Sequence, residues 1–199
     1  MRSNKGFTLI EVLVVILILG ILMAIVIPNY IRYQENARRV AVKANMRVIQ
    51  TALEGWAVDH DGMYPKVDAT IWSPTDSNGI APYLPGGDPV GEEGKPILGY
   101  FPPNPYTRKR YNSDTTDLTY VEGLTARGQN AQVRSTDAQC PYKTQTGTLR
   151  GEIRVLAYTP TDAEALEYGI CGWGRDLTQP MYDRGTSPGE LIYFVLFNN

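Results

Sequence analysis

Residues 7–27 read FTLIEVLVVILILGILMAIVI, an apolar run broken by one carboxylate, Glu11. At about 1.5 Å per helical residue these 21 residues extend roughly 31 Å, against a bilayer hydrocarbon core of about 30 Å. An acid in such a segment costs about 2.5–3.5 kcal/mol on insertion scales. A plain membrane anchor has no reason to carry that cost, whereas a segment that must leave the bilayer and meet a positive partner does. A cleavable secretory signal has a shorter apolar core, about 7–15 residues, with small residues after it. Here the small residue, Gly6, comes before the run, so the helix is expected to stay with the mature protein.

The surrounding residues, MRSNKG followed by FTLIEVLVVI, resemble the prepilin signature shared by type IV pilins and the pseudopilins of type II secretion systems. Arg2 and Lys5 form a short basic leader ending in Gly6, an aromatic Phe7 follows, Glu11 is fifth from Phe7, and Pro28 is twenty-second. The resemblance implies removal of residues 1–6 by a prepilin peptidase that also N-methylates Phe7. It further implies a transmembrane and assembly helix over 7–28 and a head over 29–199 outside the cytoplasm. The implied partners are the peptidase/N-methyltransferase, inner-membrane lipid before assembly, an assembly platform in that membrane, and like subunits in a filament. The implied location is the bacterial inner membrane, single-pass, and then a surface pilus or a periplasmic pseudopilus.

The basic flanks point the other way. Arg2 and Lys5 precede the span, while Arg32, Arg38, Arg39, Lys43 and Arg47 follow it, and a count of positive charge alone would put the C-terminal side in the cytoplasm. The reading here follows the resemblance, which the two cysteines, Cys140 and Cys171, mildly support. Outside the cytoplasm such a pair is a candidate disulfide, and many type IV pilins carry a similar C-terminal pair that bounds a loop. The formal net charge is −2, and loss of Arg2 and Lys5 lowers it by two, to −4. That balance argues against nucleic acid as a general partner.

Beyond Pro28, which removes a backbone donor and is expected to kink the helix, residues 29–58 hold no proline and one glycine, Gly55. Val42, Met46, Ile49, Leu53 and Trp56 recur at spacings of four and three, opposite Arg39, Lys43, Arg47 and Gln50. The pattern predicts one helix of about 50 residues, apolar all round in its first half and striped in its second (29–60). Gly62 and Pro65 end it. Asp59, His60 and Asp61 are adjacent, point in different directions, and are read as turn and capping residues rather than metal ligands.

The stretch 61–116 reads as a long connection. Nine of the fourteen prolines lie between Pro65 and Pro105, and Trp72, Tyr83, Tyr100, Phe101 and Tyr106 argue that it packs. Its YLP and NPYT pieces resemble the corresponding loop of some pilins and pseudopilins. Glu92 and Glu93 read as a solvated tip. Residues 117–199 read as the sheet region. Strands are expected at 118–121, 152–159 and 191–197, the last central or against the helix because both its faces are apolar. A helical turn is expected at 162–168, and CGWG (171–174) is read as turn material. The fold class is therefore α+β, a long N-terminal helix whose second half packs on an antiparallel sheet.

One histidine, and no GxSxG, HExxH, P-loop or paired CxxC motif, leave no local set of acid, base and nucleophile. The reading is not an enzyme, with no cofactor and no metal site. Three function classes follow. A type IV pilus-like subunit is favoured. A type II secretion pseudopilin is the alternative, although the Gly- and Asp-rich calcium loop usual in the major pseudopilin is not found before the terminal LIYFVLFNN. A minor tip subunit that binds DNA or a surface ligand is third, with TRKRY at 107–111 as its compact basic-aromatic segment.

Overall fold

The computed structural model describes residues 6–65, 72–73, 75–110, 121–124, 149–158, 167–178, 180–184, 191–193 and 195–197. One helix, α1, spans Leu9–Asp59. The chain divides into two compact units, Met1–Ala37 and Arg38–Asn199, and α1 contributes to both.

In the first unit α1 buries nothing: every described residue of the apolar run is exposed. Among the described residues this is one helix long and apolar enough to cross a membrane. Pro28 lies inside α1 and does not end it. The amide of Asn29 donates to the Ile25 carbonyl (3.3 Å), a side-chain bond in the turn that Pro28 weakens.

In the second unit the predicted stripe is the buried one. Val42, Met46, Ile49, Leu53 and Trp56, joined by Ala52 and Ala57, face the core, while Arg47 and Thr51 face solvent. The helix stops in a Schellman turn. Asp61 takes the left-handed conformation (φ 53°), and the Gly62 N–H reaches back to the Ala57 carbonyl at 2.8 Å. Gly62, the stop that the sequence indicated, is left-handed too (φ 82°), with Asp61 as a second such residue just before it.

The connection after α1 is more regular than expected. A 3₁₀ turn, Ala81–Tyr83, leads into a hairpin of β1 (Asp88–Glu92) and β2 (Lys95–Ile97). Glu93 and Gly94 both have positive φ (55° and 75°), the requirement of a type I′ turn, and Glu92 and Glu93 are exposed there as anticipated. Trp72 and Phe101 are buried and Tyr83 and Tyr106 pack on the core, whereas Tyr100 is 63% exposed.

The main sheet has the order β3-β4-β5-β8, formed by Val121–Leu124, Ile153–Tyr158, Glu167–Gly172 and Val195–Phe197. Its β4–β5 and β5–β8 pairs are antiparallel and β3–β4 is parallel. Two further strands, β6 (Tyr182–Arg184) and β7 (Leu191–Tyr193), pair antiparallel with each other. Ile153 and Val155 of β4, with Tyr168 and Ile170 of β5, join the α1 stripe in one core. On the opposite face of β4, Arg154 is buried as well. Arg154 donates to Glu152 (2.6 Å) and lies 4.7 Å from the Trp173 ring.

Three local expectations change. The apolar stretch 191–197 is two strands in two sheets, and β8 is at an edge. Residues 167–168 open β5, while 162–166 of the expected helical turn lie outside the described residues. Cys171 and Gly172 end β5 instead of forming a turn. Gly172 is glycine because α1 comes close: a β-carbon there would lie 2.8 Å from Met46 Sδ and 3.0 Å from Val42 Cγ1. Of the expected strand at 118–121, residues 118–120 lie outside the described residues.

Candidate assembly surface and processing site

The residues singled out around the apolar run gather at the start of α1. Phe7 is 78% exposed, and nothing crowds Gly6 within 4 Å of where a β-carbon would stand. The backbone between them is accessible. Thr8 is the N-cap of α1, and it was missed in the sequence reading. Its backbone N–H and its hydroxyl both donate to Glu11 Oε2 at 2.8 Å, while the Glu11 N–H approaches Thr8 Oγ1 at 3.4 Å. This is a capping box, and the T-x-x-E spacing at 8–11 was its sequence signal.

Glu11 is therefore oriented by its own chain. One carboxylate oxygen, Oε2, takes both Thr8 donors. The helix N-terminus adds partial positive charge at the same place. Below this turn, Leu13, Ile16, Leu17, Gly20, Ile21 and Ala24 line a shallow apolar groove. Gly20 and Ala24, four apart, lower the ridge so that another helix can approach.

The other expected positions are separate from this turn. Pro28 lies well down α1. Cys171 is fully buried and its thiol is not free, whereas Cys140 lies outside the described residues. Among the described residues no three His, Cys, Asp or Glu side chains gather as metal ligands. His60 stacks on Trp56 (3.8 Å between ring centroids) and its Nδ1 meets the Trp56 carbonyl at 2.9 Å. Asp59 accepts from the Tyr83 hydroxyl at 2.7 Å. These are structural roles at the helix end. Of the basic segment, Thr107–Arg110 are exposed and Tyr111 lies outside the described residues.

A buried polar set ties α1 to the sheet. The Glu54 carboxylate accepts from the hydroxyls of Tyr168 on β5 (2.5 Å) and Tyr64 after the helix (3.1 Å). Burial, with the bond to Glu54, pushes the Tyr168 phenol well above its usual range.

Residues 1–27 match the family model described as the prokaryotic N-terminal methylation motif. The chain is similar to the type IV major pilin protein PilA of Myxococcus xanthus, 41% identical over 58 residues, which is 29% of this chain and 26% of that protein. It is similar to the type II secretion system core protein G of Vibrio cholerae, 37% identical over 79 residues (38% and 53% of the two chains). It is also similar to the competence protein ComGC of Bacillus subtilis, 29% identical over 65 residues (33% and 66%). The matched part spans from about a quarter to just under two thirds of these relatives' length. No solved structure matches the chain.

Proposed function

We propose that this chain, for which the motif match and the similarities support a place in the pilin and pseudopilin family, is a structural subunit of a type IV pilus-like filament. The observation that carries the reading is an oriented carboxylate, Glu11, at the start of an exposed apolar helix and four residues after Phe7.

In this reading the prepilin peptidase cuts between Gly6 and Phe7 at the cytoplasmic face and N-methylates Phe7. The new amine is a cation at the edge of the bilayer. Glu11 of one subunit pairs with the Phe7 amine of its neighbour as the helices bundle. Two unit charges about 4 Å apart attract by about 4 kcal/mol at an effective dielectric of ~20. That is comparable with the roughly 2.5–3.5 kcal/mol that the lone carboxylate costs on insertion. The pairing recruits the subunit and sets its axial register, and the apolar residues 12–27 then form the filament core. Pro28 and Gly20 are the places where the helix bends as it leaves the membrane. The head lies outside the cytoplasm, where Cys140 and Cys171 are bonded, and an inner-membrane platform drives extraction.

A type II secretion pseudopilin is the second reading. It is favoured by the longer match to core protein G, 79 residues against 58 for the pilin. Mass spectrometry of sheared surface filaments, paired with membranes from the same cells, separates the two. The expected result is a terminus at N-methylated Phe7, abundant in the sheared fibres. The same terminus confined to membranes supports the pseudopilin or a minor subunit. An uncut residue 1–6 leader in every fraction overturns both.

A further inference from the structure

The apolar run is followed by PNYIRYQ (28–34), and residues 12–34 hold no acid. The segment lies within α1 and within the first compact unit. Of the thirteen tyrosines, Tyr30 and Tyr33 alone precede Tyr64. Tyr64, Tyr83, Tyr106 and Tyr168 belong to the core or pack on it. Tyr30 and Tyr33 are instead 58% and 72% exposed, and Ile31 and Arg32 between them are exposed as well.

At about 100° per residue, Tyr30, Tyr33 and Gln34 share one side of α1 and Arg32 points to another. The Gln34 amide donates to the Tyr30 hydroxyl at 2.8 Å, which ties the polar tip of that ring to the next turn. Exposed rings scattered singly need no explanation. These two stand one turn apart, directly after a run of bilayer length, with a cation between them. A tyrosine has an apolar body and a polar tip, and an arginine has a long apolar stem and a charged head. Both gain most where hydrocarbon meets water.

The spacing fits that place. Tyr30 and Tyr33 follow Ile27 by about 4.5 and 9 Å along the helix. The headgroup layer on each side of a bilayer is about 5–8 Å thick. In the other direction Tyr30 is about 35 Å from Phe7, so a helix seated by its tyrosines at one interface brings Phe7 to the other. Glu11 pulls against this seat. It lies about 6 Å inside Phe7, and its charge favours a slide of the helix that carries it out to its own interface. That slide would draw Tyr30 into hydrocarbon and Arg32 to its edge. The two ends therefore oppose each other, and their balance defines one depth.

We propose that Tyr30, Arg32 and Tyr33 form an interfacial anchor that binds the phospholipid headgroup layer and fixes how deep the apolar helix sits. By fixing depth, the anchor holds the Gly6–Phe7 bond at the opposite interface. The anchor itself requires only that the helix lies in a bilayer; its effect on the Gly6–Phe7 bond rests on the processing reading, and neither rests on the filament.

The test uses the full chain in vesicles of phosphatidylcholine and phosphatidylglycerol. A nitroxide on I31C reports depth through its relaxation by oxygen, which concentrates in hydrocarbon, against a water-soluble nickel chelate; the parent chain without I31C gives the background. The label is expected at headgroup level. Y30L/Y33L lengthens the apolar run and is expected to carry the label inward by about 4 Å or more, whereas Y30W/Y33W keeps amphipathic rings and holds the original depth. In pulse-labelled cells Y30L/Y33L is expected to slow removal of residues 1–6 about threefold or more, and Y30W/Y33W to restore it. An unchanged label depth in Y30L/Y33L overturns the anchor. The same unchanged depth with sheared filaments lost assigns the tyrosines to packing between copies and also overturns it. A depth shift with leader removal at the original rate keeps the anchor and overturns its hold on the Gly6–Phe7 bond. A depth shift in a chain whose leader is never removed keeps the anchor and removes the processing reading.

Discussion

Glu11 owes its place to two neighbours on opposite sides of one event. Before assembly, Thr8 supplies it with two donors from the same chain; afterwards, in the proposed filament, the amine of another copy completes the set. Glu11→Ala removes the charge and keeps the helix. The variant is expected to be processed and to enter membranes at wild-type levels, while its share of the sheared fraction falls at least about tenfold, more than 1.4 kcal/mol of lost interaction. Normal filaments from processed Glu11→Ala would sink the pairing. Thr8→Ala is expected to cost the helix start about 1 kcal/mol, read as faster amide exchange at residues 9–12 in detergent. At the other end of α1, burial and the bond to Asp59 push the Tyr83 phenol up to about 12. The folded state prefers the neutral phenol, so the stability it contributes is complete below the ordinary tyrosine value of about 10 and is lost as pH rises through about 12. Tyr83→Phe is expected to flatten the fall of Tm between those pH values, measured on the full chain in detergent.

The second half of α1 is decided by packing on one stripe. Ile49 is fully buried, and Ile49→Ala is expected to cost about 2–5 kcal/mol in urea unfolding. Glu54→Ala leaves the buried Tyr168 hydroxyl without this acceptor, at about 1–3 kcal/mol. Gly172→Ala is the sharper test of the helix–sheet contact. Its β-carbon meets Met46 and Val42, and the expected overpacking loss is about 1–3 kcal/mol. No measurable loss would mean that α1 and β5 are less closely packed than described. The same glycine explains why β5 was not legible in the sequence. CGWG at 171–174 was read as turn material, yet Gly172 closes β5 and marks a close approach of two elements, which no local pattern encodes. The run LIYFVLF shows the converse error. Its apolar residues indicated strand correctly, but the division between β7 and β8 depends on which partners, β6 and β5, are at hand.

At the scale of the molecule, one covalent constraint is expected across 30 intervening residues, between Cys140 and Cys171. Cys171→Ser is expected to lower unfolding stability by about 3–4 kcal/mol, with the intact wild-type mass lighter than its reduced form by about two hydrogens. The stem and the buried stripe were readable from the chain alone because helical contacts recur at three and four residues and bilayer length is a count of apolar residues. The mixed sheet and the Glu54–Tyr64–Tyr168 set were not. Each joins residues far apart in the chain, such as Glu54 and Tyr168. Such pairs form only after the loops have closed, and their geometry depends on every element packed between them.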